Sequence, residues 1–228
     1  MSTKEENKNK EPIIGIIGMR WPDNIEGEMF IMDKTQVHYI DSVQMSGGIP
    51  ITLPVLEHFD TNIIRSQINL VDGILIQGGV DVTPSLYGEE PVPELDITSK
   101  QTDEYILEII KYAGVDGKLH KQTKETITET FHSINVEKNS LLSKIIPDKD
   151  KLNVNSYHHQ AIKKLGKNII IDAKADDGII ECIHYNSNDQ WILGVQFHPE
   201  QLIRKSDEFK PLFDELIKQA ILFKYKNI

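Results

Sequence analysis

Three short runs of β-branched residues, separated by stretches with helical spacing, constrain the fold more than any other feature of the sequence. Residues 12–18, 49–55 and 71–76 are such runs, each of a length that suits a strand covered on both faces. Between them, residues 39–45 and 62–69 place apolar side chains at helical spacing. This alternation predicts a doubly wound α/β sheet.

Length and composition predict a single domain. The chain has 228 residues, of which 39% are hydrophobic, enough for one sizeable core. Residues 1–11 form a polar tail without apolar periodicity, which we expect to be disordered, and residues 12–228 are predicted to form the domain. Helical spacing of apolar residues over 210–225 predicts a core-packing helix at the end of the chain.

Charge and hydropathy disfavour several classes of function. A formal net charge of −10 disfavours nonspecific binding to nucleic acid or anionic membranes, because phosphate contacts need clustered Lys and Arg. No apolar run approaches about 18 residues and the first ten residues are too charged for a signal peptide, so we expect no membrane span and a cytoplasmic location. The single cysteine, Cys182, agrees with a reducing compartment. A small-molecule ligand is the favoured partner.

A second apolar run ends in a motif with catalytic chemistry. Residues 191–197 predict a buried strand, and Pro199 stops it because proline has no N–H for the ladder. The residue before a proline is held extended, so His198 and Glu200 are predicted to project to the same side. A carboxylate bonded to one ring nitrogen leaves the other free to act as a base, as in a catalytic triad. A surface turn with an incidental ion pair is the alternative.

A glycine pair follows the third predicted strand. Gly78 and Gly79 lie where parallel sheets bind their ligands, beyond the carboxyl end of a strand. Without Cβ atoms, their N–H groups can approach a developing oxyanion. The alternative is a tight turn in which glycine is required only by its backbone angles.

Three motifs together resemble one known family. They are DGILIQGGVDVTPSLYG at residues 72–88, VNSYHHQ at 154–160 and GVQFHPE at 194–200. In this order they are similar to the γ-glutamyl-γ-aminobutyrate hydrolase branch of the class I glutamine amidotransferases, which is peptidase C26-like. The resemblance covers nearly the whole chain apart from the tail. It implies a three-layer α/β sandwich with a central, mostly parallel sheet, and a Cys-His-Glu triad that attacks a γ-glutamyl amide through a thioester, a chemistry that serves putrescine and polyamine catabolism.

The resemblance also implies residue roles. His198 matches the general base and Glu200 its orienting partner, while Gly78 and Gly79 match the loop that lends a backbone donor to the oxyanion hole. Further matches border the substrate pocket, namely Asp81, Ser156, His158, His159 and Gln160. No cofactor and no metal are implied. The expected partner is a small γ-glutamyl compound, and a homodimer is compatible with the family.

The nucleophile of the family has no counterpart in this sequence. Residues 103–113 predict the helix after the glycine loop, and the chain then passes directly to a glycine-rich stretch at 114–117. The buried strand, the cysteine turn and the helix that the resemblance implies are missing. We therefore predict that roughly one βα unit, on the order of 30 residues, has been deleted near residues 113–117. Residues 118–135 are polar and give no clear element.

Neither Cys182 nor a metal ion is favoured as a substitute for the missing nucleophile. Cys182 lies in a predicted strand, residues 178–185, where a thiol is more often a buried structural group than a reactive thiolate. A metal site would need several histidines, yet His158 and His159 are adjacent, and adjacent side chains on a strand point to opposite faces.

Two classes of function remain open on the sequence alone. One is a γ-glutamyl amide hydrolase that keeps some activity through His198, Glu200 and the pocket motifs. The other is a relative without catalysis, which binds a ligand or a partner. Because a triad acts as a unit, losing its thiol predicts impaired or absent hydrolysis.

Overall fold

The computed structural model describes residues 11–112 and 130–226. In chain order its strands are β1 (Ile13–Ile17), β2 (Met19–Ile25), β3 (Glu28–Lys34), β4 (Ile49–Leu53), β5 (Gly73–Ile76), β6 (Thr130–Val136), β7 (Lys151–Ser156), β8 (Ile169–Ala175), β9 (Ile180–Tyr185) and β10 (Leu193–Val195). Its α-helices are α1 (Val37–Met45), α2 (Thr61–Ile68), α3 (Lys100–Tyr112), α4 (Leu141–Ile145), α5 (Pro199–Leu202) and α6 (Lys210–Lys226). The predicted disordered tail falls almost wholly on residues 1–10, and the predicted deletion point on 113–117, both outside the described residues.

The N-terminal half forms a three-layer arrangement around a parallel sheet. The strand order is β4-β1-β5, with β1 parallel to both neighbours. On one face, Ile14 and Ile16 of β1 pack in a cluster with α1 and α6, and on the other, Ile13 and Ile17 belong to a cluster with α2 and α3. Alternate side chains of β1 thus serve two cores. The predicted α/β class and the core-packing C-terminal helix are confirmed.

The other large sheet is antiparallel. Its order is β10-β9-β8-β6-β7, and every pairing in it is antiparallel. The sequence predicted one central, mostly parallel sheet, whereas the described strands form the parallel sheet, this antiparallel sheet and a two-stranded sheet of β2 and β3. Short connections explain the difference, since β8 and β9 are joined by a tight turn at Gly178, whose φ is 93°, and such a link only suits antiparallel neighbours.

The strand before the His198 motif differs from its prediction. We expected residues 191–197 to form a strand covered on both faces. Instead β10 spans three half-buried residues and, among the described strands, pairs only with β9, antiparallel and with Gly194 opposite Ile183. An apolar run of this length is compatible with either setting, because hydropathy does not report which neighbour a strand has.

A β-hairpin that the sequence did not predict projects between β1 and α1. Its strands β2 and β3 pair along their whole length, from Met19 opposite Lys34 to Ile25 opposite Glu28. The turn residues Glu26 and Gly27 have φ values of 54° and 90°, the backbone of a two-residue hairpin turn that requires left-handed residues. No helix in the described part of the chain combines the length and the apolar character needed to cross a bilayer.

Candidate active site

A large cavity lies between the two main sheets. Its volume is about 1840 Å³, and its lining includes every residue of 71–76 along β5 and of 190–200 along β10. Successive side chains of a strand point to opposite faces, so a cavity that touches every residue of a strand meets that strand at its edge. Within the described residues, β5 pairs only with β1 and β10 only with β9. Two unpaired strand edges therefore border the same space.

His198 and Glu200 form a hydrogen-bonded pair on the cavity wall. The Nδ1–H of His198 donates to Oε1 of Glu200 at 2.8 Å, and Glu200 is fully buried. The predicted extended spacing is wrong, because α5 begins at Pro199 and Glu200 lies in its first turn. The pair forms nevertheless, since His198 precedes the helix with φ −109° and ψ 80°. Tyr157 packs edge-on against the imidazole, with ring centroids 5.2 Å apart.

The backbone of His198 is clamped by Asn155, the penultimate residue of β7. The Asn155 side chain accepts from the His198 N–H at 2.9 Å and donates to the His198 carbonyl at 3.3 Å. Asn155 is fully buried. Sequence reasoning placed Asn155 inside a motif but gave it no role. The structure makes it the link between the antiparallel sheet and the base of the candidate site.

The glycine loop and His198 come together as the resemblance implies. A Cβ on Gly78 would lie 3.0 Å from His198 Cε1 and 3.2 Å from the Tyr39 hydroxyl, so only glycine lets the loop approach the imidazole this closely. Gly79 fits equally tightly against Met19, whose Sδ would be 2.4 Å from an added Cβ.

Two of three successive N–H groups in the glycine loop are hydrogen-bonded within the protein. The Gly78 N–H donates to the Tyr39 hydroxyl at 2.9 Å, and the Val80 N–H donates to Met19 Sδ at 3.2 Å. Between them, the Gly79 N–H has no acceptor within the described ranges 11–112 and 130–226. Burial, together with the nearby Glu200 carboxylate, raises the pKa of Tyr39, so the phenol stays protonated.

The Gln77 side chain anchors the start of the glycine loop through hydrogen bonds. The resemblance has proline at this position. The Gln77 amide donates to the carbonyls of Ile17 and Lys34, both at 2.9 Å, and accepts from the Gln36 N–H at 3.0 Å. The end of β1 and the segment from Lys34 to Gln36 are thereby tied to the residue before Gly78. The buried Gln77 amide is hydrogen-bonded through both its nitrogen and its oxygen, as buried polar groups generally are.

The other predicted pocket residues meet across the cavity rim. His159 Nε2 and Asp81 Oδ2 lie 2.7 Å apart. Gln160 accepts from the Val82 N–H at 2.8 Å and donates to the Val82 carbonyl at 3.1 Å. These bonds join the segment after β7 to the loop after β5, so the motifs at 72–88 and 154–160 act as one wall.

Among the described contacts, His158 and Ser156 take no part in the bonds between the two motifs, although His158 also lines the cavity. His158 Nδ1 donates to the carbonyl of Gln160 at 3.0 Å, and its Nε2 lies 3.5 Å from the buried Glu181 carboxylate. His158 and His159 thus contact different carboxylates. Ser156 ends β7 opposite Thr130 and is not among the described residues that line the cavity. Over the described ranges, no three His, Cys, Asp or Glu side chains come close enough to hold a metal ion.

Cys182 lies in the core and is not among the described residues that line the cavity. It sits in β9, opposite Val195 of β10 and Ala173 of β8, and its side chain belongs to the apolar cluster of the antiparallel sheet. Burial raises the pKa of the Cys182 thiol, and the charges of Asp172 and Glu181 raise it further. The prediction of a buried structural thiol is confirmed.

Comparison with protein families agrees with this geometry. The model of the family described as Peptidase C26 matches the chain in two segments, residues 12–119 and 112–200. Together the segments cover the parallel sheet, the glycine loop and the His198–Glu200 motif. They meet near the end of α3.

Individual relatives give the same result. A Lactococcus lactis protein named as glutamine amidotransferase-like, YvdE, is 33% identical over 222 residues, covering 82% of this chain and 90% of the relative. The γ-glutamyl-γ-aminobutyrate hydrolase PuuD of Escherichia coli K12 is 28% identical over 229 residues, covering 86% of this chain and 88% of the enzyme. The solved glutaminase domain of Trypanosoma brucei CTPS has the same fold, with a TM-score of 0.61 at 12% identity over 92% of this chain and 93% of that domain.

Proposed function

This chain belongs to the peptidase C26 family, and we propose that it is a glutamine amidotransferase-like protein whose γ-glutamyl amide hydrolysis is impaired by the loss of its nucleophile. The observation that carries the proposal is the position of Cys182. It is the only cysteine in all 228 residues, it is buried in β9, and its pKa is raised. A nucleophilic thiolate needs the opposite setting, partly exposed and with a lowered pKa.

The two unpaired strand edges support a missing strand. A strand placed between β5 and β10 would pair with both and occupy the cavity that their edges now border. In the resembled family, the missing segment consists of such a buried strand, the cysteine turn and a helix. The cysteine would then follow the strand at the level of Gly79 and His198, where parallel sheets place their active sites.

The lengths of the alignments also support a missing segment. The alignment with the L. lactis relative runs over 222 positions but covers 82% of this 228-residue chain, or about 187 residues. On the order of 30 positions of the relative therefore lack a counterpart, close to the length of one strand and one helix with their turns. The two matched family segments meet at 112–119, which includes the predicted deletion point at 113–117.

The remaining groups keep the form of an acyl-transfer site. His198 would take a proton through Nε2, Glu200 would hold the ring through Nδ1, and the Gly79 N–H would face the oxyanion. None of these groups can form the thioester that divides amide hydrolysis into two easier steps. The wall from Asp81 to Gln160 can still bind a γ-glutamyl compound, so ligand binding without turnover is the second candidate function.

We expect the purified protein to release no γ-aminobutyrate from γ-glutamyl-γ-aminobutyrate and no ammonia from glutamine above the rate of a His198→Ala variant. The reason is that a base without its nucleophile leaves the amide barrier almost unchanged. Amine release followed by chromatography is the measurement, with the E. coli hydrolase assayed in parallel. Turnover that disappears in a Cys182→Ser variant would instead identify Cys182 as the nucleophile.

We also expect the thiol of Cys182 to be unreactive in the folded protein. Burial raises its pKa, so at pH 8 the thiolate fraction is small and reagents cannot reach the sulfur. Alkylation by iodoacetamide, followed by intact mass, should be complete in denaturant and slower by about a hundredfold or more without it. A chloroketone analogue of glutamine should likewise leave the native chain unmodified. Rapid native labelling would show that the thiol is accessible, against the proposal.

A further inference from the structure

The β2–β3 hairpin exposes apolar side chains on both of its faces. Four successive residues of β3, from Met29 to Met32, are exposed, and successive residues of a strand alternate between faces. Ile25 at the tip is exposed as well. Side chains of this size, about half exposed, sum to roughly 500 Å² of apolar surface, at the upper end for a protein that works alone.

The outer edge of β3 is also free to pair. In the described part of the chain, β2 and β3 pair only with each other, so each presents one unpaired edge. Pro22 removes an N–H from β2 and makes that strand a poor pairing partner. The seven residues of β3 include no proline and no glycine. Apart from the Lys34 carbonyl, which accepts from Gln77, the backbone groups on the outer edge of β3 have no partner among the described residues.

We propose that this edge binds a second copy of the chain, β3 against β3 of the partner, in antiparallel order about a two-fold axis at Ile31. A strand that pairs antiparallel with its own copy forms a two-fold interface by construction. With Ile31 on the axis, Phe30 faces Met32 of the other copy, and Glu28 faces Lys34. The two hairpins then form one four-stranded sheet.

Charge complementarity favours this register and a second copy of the chain as the partner. Opposite charges fall together at both ends of the paired strands, Glu28 with Lys34, while the apolar residues meet in the centre. Lys34 already binds Asp23 of its own hairpin at 2.6 Å, so each end becomes a three-charge chain from Asp23 through Lys34 to the second Glu28. Opposed charges across strands stabilise a pair, and like charges directly opposite destabilise it.

The dimer contact would be at the small end for a stable interface, which buries about 800 Å² on each partner. Edge pairing covers only the sides of the exposed apolar side chains, because the two faces of the joined sheet stay open. The backbone and charged groups of β3 add to this contact. This proposal rests on the hairpin alone and is independent of the hydrolase activity.

Cysteine cross-linking tests the register. Ile31→Cys places two thiols opposite each other on the axis, at the ~5 Å Cα separation that a disulfide accepts. Met29→Cys is the matched control, since Met29 and Ile31 are 64% and 65% exposed on the same face of β3. Met29 faces Asp33 of the other copy, and two cysteines at 29 would stand roughly 14 Å apart, too far to bond.

Under mild oxidation of the full-length chain, we expect Ile31→Cys to give mostly covalent dimer and Met29→Cys roughly tenfold less. Buried Cys182 should remain outside the reaction. Equal yields from the two variants, or more from Met29→Cys, would overturn the register.

Light scattering after size-exclusion chromatography tests whether a second copy of the chain binds. The unmodified chain should elute with the mass of two copies, and Ile31→Lys, which sets two ammonium groups against each other on the axis, should raise the dimer dissociation constant tenfold or more, roughly 1.4 kcal/mol. Met45→Lys, an exposed apolar residue on α1, is the control and should leave the dimer intact. A monomeric unmodified chain, or a dimer that Ile31→Lys does not weaken, would refute the proposal.

Discussion

Under the proposed function, inserting a strand, a glycine-flanked cysteine turn and a helix at residues 113–117 should raise the γ-glutamyl amide hydrolase activity of this chain. The inserted thiol would stand beside the hydrogen-bonded pair of His198 and Glu200, against which Gly78 already packs. Completing a triad adds on the order of 10⁴-fold or more to the rate. The insert can be taken from the E. coli hydrolase, and release of γ-aminobutyrate is the measurement.

The same insert carrying serine in place of its cysteine separates chemistry from structure. It should restore pairing at the edges of β5 and β10 and so raise the melting temperature, by on the order of 5–10 °C, without restoring turnover. The cysteine insert combined with His198→Ala should match it in stability and in lack of activity. A cysteine insert that folds, pairs both edges and still hydrolyses nothing would show that the present His198 site is not competent.

Residue patterns predicted the parallel half of the fold because its strands are buried on both faces. Runs such as Ile13–Ile17 and Gly73–Ile76 are short and β-branched, and the helices between them carry one apolar face. The pair of His198 and Glu200 was also predicted, although for the wrong backbone, because two residues that close in sequence meet in several conformations.

The antiparallel half and the hairpin could not be predicted in the same way. Pairing partners of β6 lie in β7 and β8, and nothing in the polar stretch before residue 136 identifies them. The exposed apolar residues of β3 contradict the usual link between hydropathy and burial, so their pattern does not indicate a hairpin face. The local sequence feature that best indicates the hairpin is the Glu26-Gly27 turn, since glycine suits the second position of such a turn.

The supporting residues of the site were missed for a related reason. Asn155, Tyr39 and Gln77 reach the site through bonds to residues about 40 to 60 positions away. Asparagine, tyrosine and glutamine occur in many settings, and no spacing rule connects them to a histidine so distant in sequence. The chemical role of a motif residue can be proposed from its side chain. The residues that position it depend on the tertiary fold.

Asn155→Ala should therefore have the largest effect of any single substitution around the site. It removes two hydrogen bonds from a fully buried side chain and leaves the His198 N–H without an acceptor, whereas the His198 carbonyl still accepts from the Gln201 N–H. A buried donor left unpaired costs about 1–3 kcal/mol and the second lost bond about 0.5–1.5 kcal/mol, so we expect the free energy of unfolding to fall by about 2–4 kcal/mol. For a chain of this size the melting temperature should drop by roughly 5–15 °C, as measured by calorimetry.

Asn153→Ala is the matched control, because Asn153 lies two residues earlier in β7, pairs opposite Ser133 and is exposed. Its effect on the free energy of unfolding should stay within about 0.5 kcal/mol.

Asn155→Asp adds a second comparison. A carboxylate keeps the acceptor for the His198 N–H and loses the donor to the His198 carbonyl. It also brings a buried charge close to Glu200. It should destabilise the protein at least as much as Asn155→Ala at pH 7 and recover stability as the pH falls and the new carboxyl is protonated. Equal, small effects of Asn155→Ala and Asn153→Ala would mean that the clamp does not hold His198, and the base would then depend on α5 alone for its position.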